Sequence, residues 1–424
     1  MLSRDMQIEF LKFLVENKEN RELVYKYLKK GGLELFDKLI QELIKGIFYI
    51  HNKYDFEVIK KPVLIDLIKN SEEFDLYVDI IDEIYSTPRI LDDEELLKVI
   101  LSELKNLKLI EFITKTAKDI EKGKFDFRKI YKELEEIELL KIEGDGLTNK
   151  NVDEAFKKLQ EKYDESKGNI IPTPFKKLNE CLYGGFGSGE VHMLMGMPKT
   201  GKSTLGAFFG AYVLTQLNKS VIHITLELKE EDVFIKYVSA ITGIPQSYLI
   251  KEAPKDIRDR IKNLVPFYIK HYPNNTITTL DISMYIRRLL FKENLDIGLI
   301  IIDYDDLLNP TKDTGSMYEN AGVIYSDMIK LADKFNAPVL TFAQPRREAW
   351  NKLEQGKIMK AIDVSHSAMK IHKCWSLTSI NRYSADNYVL YLDMARRGIS
   401  GVEIPLKVDL SRCKFEELVV DDYE

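Results

Sequence analysis

The sequence predicts two unlike parts joined by a short linker. The first is an all-α region over residues 1–142. The second, over 171–424, is an α/β region whose mostly parallel sheet carries helices on both faces, with 143–170 between them. Three observations carry this reading. Apolar residues recur at helical spacing through the first region, where glycine and proline are scarce. From Ile171 onward, short apolar runs alternate with helical stretches. Gly196-Met-Pro-Lys-Thr-Gly-Lys-Ser203 is a complete phosphate-binding loop of the form G-x-x-x-x-G-K-[ST], with a strand pattern before it and a helix pattern after it.

In the first region Leu101, Leu104, Leu107, Leu109, Phe112 and Ile113 form an apolar series, with Lys and Glu between them. Gly31-Gly32, Pro62, Pro88 and Gly123 fall at breaks, and Asp92-Asp93-Glu94-Glu95 suits a helix start, where acids meet the positive end of the dipole. Nothing in this region suggests chemistry. The linker holds one short amphipathic helix with Val152, Phe156, Leu159 and Tyr163 on one stripe, which packs either on its own chain or on a neighbour. The strand candidates are Val191–Met195, Val221–Leu226, Val265–Ile269, Ile297–Ile302, Pro338–Phe342, Trp375–Ile380, Tyr388–Leu392 and Ile404–Val408. The last of these lie close together, which predicts antiparallel strands at one edge.

Composition fits a soluble globular chain, with 45% hydrophobic and 31% charged residues among 424. No apolar run approaches the roughly 18 residues of a membrane span, and the start of the chain has no signal-type apolar core. Cys181, Cys374 and Cys413 lie far apart with no metal spacing, so reduced thiols in a cytoplasmic protein are expected. The net charge of −6 argues against a broadly basic nucleic-acid coat. Residues 1–150 hold 26 basic and 32 acidic side chains, and the remainder holds 36 of each. A nucleic acid must therefore be held by a local patch. Gln344–Lys373, with seven basic and three acidic residues, is such a patch.

The phosphate loop points to a nucleoside triphosphate with Mg²⁺. Backbone N–H groups around Gly196, Lys199, Thr200 and Gly201, with Ser203 and Thr204 at the helix start, can close on phosphate oxygens. Lys202 can reach the β and γ phosphates, and the Ser203 hydroxyl can ligate the metal. Asp303, at the end of an apolar strand, is the candidate second metal-site acid. Glu227 is either a base for the attacking water or a helix-start acid. Gln344 ends a further strand in an amide that can sense the γ-phosphate. Arg396 is either a surface charge or a finger for a neighbour's nucleotide.

Taken in order, several motifs resemble the RecA-like motor of hexameric replicative helicases, bacterial DnaB and its phage relatives. They are Gly184-Gly185-Phe186, Gly189-Glu190, the phosphate loop, Thr225-Leu226-Glu227, Ile301-Ile302-Asp303-Tyr304, Ala343-Gln344 and Arg396-Arg397-Gly398. The resemblance covers residues 171–415, and the helical region matches the family's layout more loosely. It implies a RecA-like ATPase using ATP, or another nucleoside triphosphate, with Mg²⁺. It also implies a hexameric ring on single-stranded DNA, duplex unwinding, and primase or loader binding through the N-terminal region. In that frame Glu227 is the catalytic base, Gln344 the sensor and Arg396 the trans-acting finger, and the linker helix docks on the adjacent subunit. Arg346, Arg347, Lys352, Lys357 and Lys360, directly after Gln344, would line the channel and neutralise phosphates. Trp350 among them either stacks on a base or packs. The chain departs from the family at three points. Met394 stands where a Lys is common, with Arg397 taken as the substitute contact to nucleotide. Asp305-Asp306-Leu307 replaces Leu-Gln-Leu, and Lys199 stands where Gly is common. Two other readings share the motor: a recombination ATPase that forms filaments, and a nucleotide-dependent scaffold for a primase or loader.

Overall fold

Helical spacing in the first 142 residues folds as helices that bury one stripe each. In the computed structural model, which describes residues 2–28, 32–54, 56–86, 88–124, 126–138, 152–163, 169–346, 349, 357–365 and 367–418, the chain divides into two units, Met1–Val152 and Asp153–Glu424. The first unit contains α1 (Arg4–Glu16), α2 (Lys18–Leu28), α3 (Lys38–Lys53), α4 (Lys61–Ile68), α5 (Phe74–Ser86), α6 (Asp93–Glu121) and α7 (Phe127–Glu138). Its core gathers Phe10, Phe13, Phe36, Ile40, Ile44, Ile47 and Ile81. Pro62 lies in the first turn of α4, where its missing N–H costs nothing. Asp92 caps α6 by accepting from the Glu95 amide at 2.8 Å. The expected apolar series on α6 is only partly buried. Leu104 and Phe112 are inside, but Leu109 and Ile113 are exposed, because their spacing carries them off the packed face.

α8 (Val152–Tyr163) follows, with Val152, Phe156 and Leu159 exposed. In the second unit β1 (Ile170–Ile171) pairs antiparallel with β2 (Phe186–Gly187), and α9 (Lys176–Cys181) lies between them in sequence. The main sheet is built from β3 (Val191–Gly196), β4 (Ser220–Thr225), β5 (Phe267–His271), β6 (Ile297–Asp303), β7 (Val339–Ala343), β8 (Ser376–Arg382), β9 (Asn387–Ala395), β10 (Val402–Asp409) and β11 (Lys414–Glu417). Their spatial order is β11-β10-β9-β8-β3-β7-β6-β4-β5. From β8 to β5 all neighbours are parallel, and β8 through β11 pair antiparallel.

Side chains alternate across the parallel strands and both faces are covered. Leu194, Val221, Leu299 and Ile301 face a core shared with α10 (Lys202–Gln216) and α11 (Glu230–Thr242). Met193, Met195, Ile222, Ile300 and Ile302 face a second core with α14 (Thr279–Lys292) and α15 (Met317–Phe335). Burial on both faces is why these strands read as unbroken apolar runs. α12 (Gln246–Lys251) and α13 (Lys255–Lys262) lie between α11 and β5 in sequence. Among the described residues no helix is long and apolar enough to cross a membrane. Cys181, Cys374 and Cys413 are buried and free.

α10 approaches its neighbours through two glycines one turn apart. A Cβ on Gly206 would stand 2.6 Å from the Phe342 ring, and one on Gly210 would stand 2.2 Å from the Tyr237 hydroxyl. That hydroxyl is fixed by a 3.0 Å hydrogen bond to buried His223. Gly210→Ala would gain about 1 kcal/mol of helix propensity, but overpacking of this kind costs about 1–3 kcal/mol. The clash is expected to win, lowering the urea midpoint without changing the slope. A midpoint equal to wild type or higher would show that α10 and α11 can separate freely.

Candidate nucleotide-binding site

Parallel pairing brings the C-terminal ends of β3, β4, β6 and β7 to one edge of the sheet, and the site is assembled there. The phosphate loop leaves β3 at Gly196, where a Cβ would press within 2.6 Å of the Ile380 side chain. Lys199 is exposed and takes a left-handed backbone, φ 65°, which rationalises the glycine common at this position. Thr200 is buried, and its hydroxyl donates to the Met197 carbonyl at 2.8 Å. Gly201, φ 93°, turns the chain into α10. The first amides of that helix, at Lys202, Ser203 and Thr204, lack intrahelical acceptors and suit an anion. Lys202 folds back over the loop, its Nζ 2.6 Å from the Gly196 carbonyl and 3.1 Å from that of Met197. The Thr204 side chain meets α11. It is buried, and its hydroxyl accepts from Lys236 on α11 at 3.4 Å.

Asp303 ends β6 beside Thr225, the last residue of β4, and its carbonyl accepts from the Leu226 amide at 2.7 Å. Asp303 is fully buried, and among the described residues neither carboxylate oxygen has a partner at full hydrogen-bond geometry, although the Ser203 hydroxyl lies near enough to act on it. Burial pushes its pKa up to about 6. The Glu227 charge adds to this, while the Ser203 hydroxyl, Lys202 and Lys236 act against it. Burial likewise lowers the Lys202 pKa, opposed by Asp303 and Glu227. Lys202, Ser203, Asp303 and Glu227 thus feel one another at this edge. Two buried carboxylate oxygens near a serine hydroxyl fit a hard cation such as Mg²⁺, which prefers oxygen ligands.

Glu227 stands exposed in a turn fixed by Thr225, whose hydroxyl both donates to the Leu228 carbonyl and accepts from its amide. It does not start a helix. α11 begins at Glu230, and its first-turn acids are Glu230, Glu231 and Asp232. Gln344 follows β7, whose Ala343 pairs with Met195, so the half-buried amide residue sits next to the start of the phosphate loop. Lys236 has no signal in the sequence. It lies on an ordinary amphipathic helix with no motif, and only the packing of α11 on α10 brings it to Thr204 and Asp303.

The two arginines lie elsewhere. The Arg396 amide donates to the Trp375 carbonyl at 2.8 Å, and the Trp375 amide donates to Val191, the first residue of β3. The phosphate loop leaves the other end of that strand, so the two are separated by the strand's length, about 16 Å at 3.3 Å per residue. The Arg396 guanidinium is exposed, sits 5.7 Å from the Trp375 ring, and donates to the His372 carbonyl. Arg397, expected at the nucleotide, is held on its own chain instead. It lies 3.1 Å from buried Glu190 and donates to the Gly185 carbonyl at 2.9 Å. Strand-end neighbours point to opposite sides, so one of the pair turns inward.

Of the basic run, Arg346 is exposed, with its amide bonded to the Asp363 carbonyl at 2.7 Å and its Nε to that of Val364 at 3.1 Å. Lys357 is exposed, and the exposed Lys360 holds its Nζ 5.9 Å from the Tyr391 ring. Arg347, Trp350 and Lys352 lie outside the described residues.

The buried Asp303 carboxyl sets a trade between stability and metal binding. The folded chain keeps its proton up to about pH 6, whereas an ordinary aspartate loses it near 3.8. Stability from this group therefore falls as pH rises through that window, and the full penalty applies above it. Asp303→Asn is expected to stabilise the nucleotide-free protein at neutral pH by up to about 3 kcal/mol, with the gain fading toward about pH 4. The same variant should lose Mg²⁺-dependent nucleotide binding. Thermal melts across pH, with nucleotide titrations, check both halves. A less stable variant at neutral pH would show the carboxylate to be well solvated.

Comparison with known proteins agrees with the fold. Residues 170–366 match the family model of the DnaB-like helicase C terminal domain. The replicative DNA helicase DnaB of Helicobacter pylori strain J99 is 24% identical over 212 residues, covering 47% of this chain and 42% of that protein. The DnaB of Synechocystis is 22% identical over 212 residues, covering 48% of this chain and 24% of that protein. The match thus spans less than half the length of these relatives. Among solved structures, one that consists of an ATPase domain superposes with a TM-score of 0.54 at 18% identity, over 64% of this chain and all of that one. A DnaB-like replicative helicase, described with its interactions with primase, superposes with a TM-score of 0.57 at 16% identity, over 96% of this chain and 98% of that one. Through residues 170–366 of its α/β unit, the chain is similar to the DnaB-like helicase family.

Proposed function

We propose that this chain is the ATP-driven subunit of a ring-forming replicative DNA helicase that translocates on single-stranded DNA. The observation that carries the proposal is the division of groups between the two sheet edges. Lys202, Ser203, Asp303 and Glu227 lie at one edge and Arg396 at the other. A neighbour presenting its Arg396 edge would complete the site at which one chain holds a nucleotide. The arginine would offset charge that develops as the γ-phosphoryl group transfers to water. Mg²⁺ held by Ser203 and Asp303 would neutralise the phosphates, and Glu227 would orient and deprotonate the attacking water. Gln344 would report loss of the γ-phosphate to the segment that follows it.

The assembly is a homo-oligomer, a hexamer on the family pattern, working in the cytoplasm. Residues 1–142 form its partner-binding collar for a primase or loader, 143–170 its linker, and 171–424 its motor. α8 docks on the adjacent subunit, since its exposed Val152, Phe156 and Leu159 need cover. Arg346, Lys357 and Lys360, with Arg347 and Lys352 in the same run, face the strand and bind phosphates without reading sequence. ATPase rates with and without single-stranded DNA, together with electron microscopy on DNA with a non-hydrolysable nucleotide, test this reading. Stimulated hydrolysis and closed rings support it, whereas filaments favour a recombination ATPase and absent hydrolysis a scaffold.

Two variant sets separate the chemistry from the assembly. Lys202→Ala should lose productive nucleotide binding, because it removes a contact to charge already present in the ground state. Glu227→Gln should bind nearly normally and turn over about 10²–10⁴-fold slower. Near-normal turnover in folded Glu227→Gln would remove this residue from the reaction. For the neighbour's contribution, Arg396→Ala and Lys202→Ala protomers are each expected to be inactive alone. After subunit exchange their mixture should regain activity, since some interfaces then carry both intact groups. A mixture as inactive as its parents, with exchange confirmed, would place Arg396 outside the active site.

A further inference from the structure

One lysine of the basic run is not available to a strand. Lys370, on the helix Ser367–Lys373, is 1% exposed, and its ammonium lies 2.8 Å from Asp305 Oδ2 and 2.6 Å from Asp306 Oδ1. Asp305 is equally buried and also accepts from the Tyr325 hydroxyl on α15 at 2.8 Å. Asp306 is more open, 29% exposed, and accepts from the Ser365 hydroxyl at 3.2 Å. Both acids sit in the turn that begins at Asp303, at the nucleotide edge. They are also the residues at which the sequence departs from the helicase pattern.

The other side of the cluster leads to the segment after Gln344. The Ser365 amide donates to the Gln344 carbonyl at 3.2 Å, Pro345 bridges to Val364, and the Arg346 amide donates to the Asp363 carbonyl. The contacts are therefore continuous from the Asp303 turn, through Asp306, Ser365 and Lys370, to Gln344 and Arg346. A buried ion cluster is weak evidence for stability, because apolar residues of the same volume hold two segments together as well or better. What it adds is fixed registration. Sliding either segment strands a buried charge, so the two move together or not at all.

We propose that Lys370 is a positioning residue that couples strand binding to hydrolysis, by locking the Asp303–Asp306 turn to the paired stretches Gln344–Arg346 and Asp363–Ser365 through Asp305 and Asp306. The inference rests on the helicase reading above, in which Arg346, Lys357 and Lys360 face DNA. It concerns no contact to nucleotide or to DNA by Lys370 itself.

The test measures ATP hydrolysis of the full-length protein with and without poly-dT, alongside poly-dT affinity over a salt series. Wild type without strand stimulation would sink the helicase reading itself, and with it the premise of this test. With stimulation present, Asp306→Asn and Lys370→Met should keep basal turnover and the salt slope of DNA binding, and should lose about fivefold or more of the stimulation, a typical coupling magnitude. The double variant should lose no more than Lys370→Met, because the Lys370–Asp306 contact that Asp306→Asn weakens is already gone in Lys370→Met. Lys370→Arg, which preserves the charge, should retain most of the stimulation. If Lys370→Met does not fold, Asp306→Asn decides, since it leaves the Lys370–Asp305 pair in place. Full stimulation in Asp306→Asn overturns the proposal. So does a parallel fall of basal rate, stimulated rate and melting temperature, which would mark the cluster as merely structural.

Discussion

Parallel pairing of β8, β3, β7, β6, β4 and β5 is the constraint from which the rest of the motor follows. Parallel strands deliver all their C-terminal ends to one edge, and ligands of open α/β sheets bind there. Gly196, Asp303, the turn bearing Glu227, and Gln344 are therefore neighbours although they are far apart in sequence. The antiparallel return from β8 to β9 has the opposite consequence. β9 runs back, so its end at Ala395 pairs with Ser376, the start of β8, and Arg396 emerges at the far edge. The topology thus keeps Arg396 apart from the phosphate-loop edge of its own sheet.

The same edge carries the electrostatic cost of the fold. Asp303 and Lys202 are both buried, and burial disfavours the charged form of each. Their mutual attraction offsets part of that cost but leaves both Asp303 oxygens without a partner at full hydrogen-bond geometry among the described residues. An arrangement of this kind is poor for stability and good for receiving a phosphate-bound cation. It is tolerated because the strands beneath are covered on both faces, and α10 is seated closely through Gly206 and Gly210.

The phosphate loop and the eight strand candidates are legible in the sequence because each is a local pattern: glycine spacing in one case, apolar runs between turns in the other. β5 begins two residues later than its apolar run because it is an edge strand, half-buried, and pairing rather than hydropathy sets its ends. β11 has no such signature, because Lys414-Phe-Glu-Glu417 is mostly polar and only its pairing with β10 makes it a strand. The surroundings of Thr204 and Lys236 are hidden for a related reason. Which way a side chain at a helix start points depends on the helix packed against it, and α11 lies 26 residues further along the chain.

The acidic turn and the arginine pair show where such limits arise. Asp305-Asp306 is visible as a departure, but its partner, Lys370, sits more than sixty residues away in a run that reads as a solvated basic surface. Charge counting gives each lysine equal weight, whereas burial removes Lys370 from the strand-facing set and assigns it to the acids. Arg397 is a second case. Beside Arg396 it looks like a second contact for nucleotide, yet alternation at the strand end turns it inward to Glu190. Gly398 then takes φ 87°, and a Cβ there would fall 1.7 Å from the Cys181 carbonyl. The turn is thus closed on its inner side by Arg397 and Gly398, which leaves Arg396 as the exposed arginine of the pair, resting on Trp375 and the His372 carbonyl. Arg397 is thus engaged by Glu190 and Gly185 of its own chain, beside the departure at Met394.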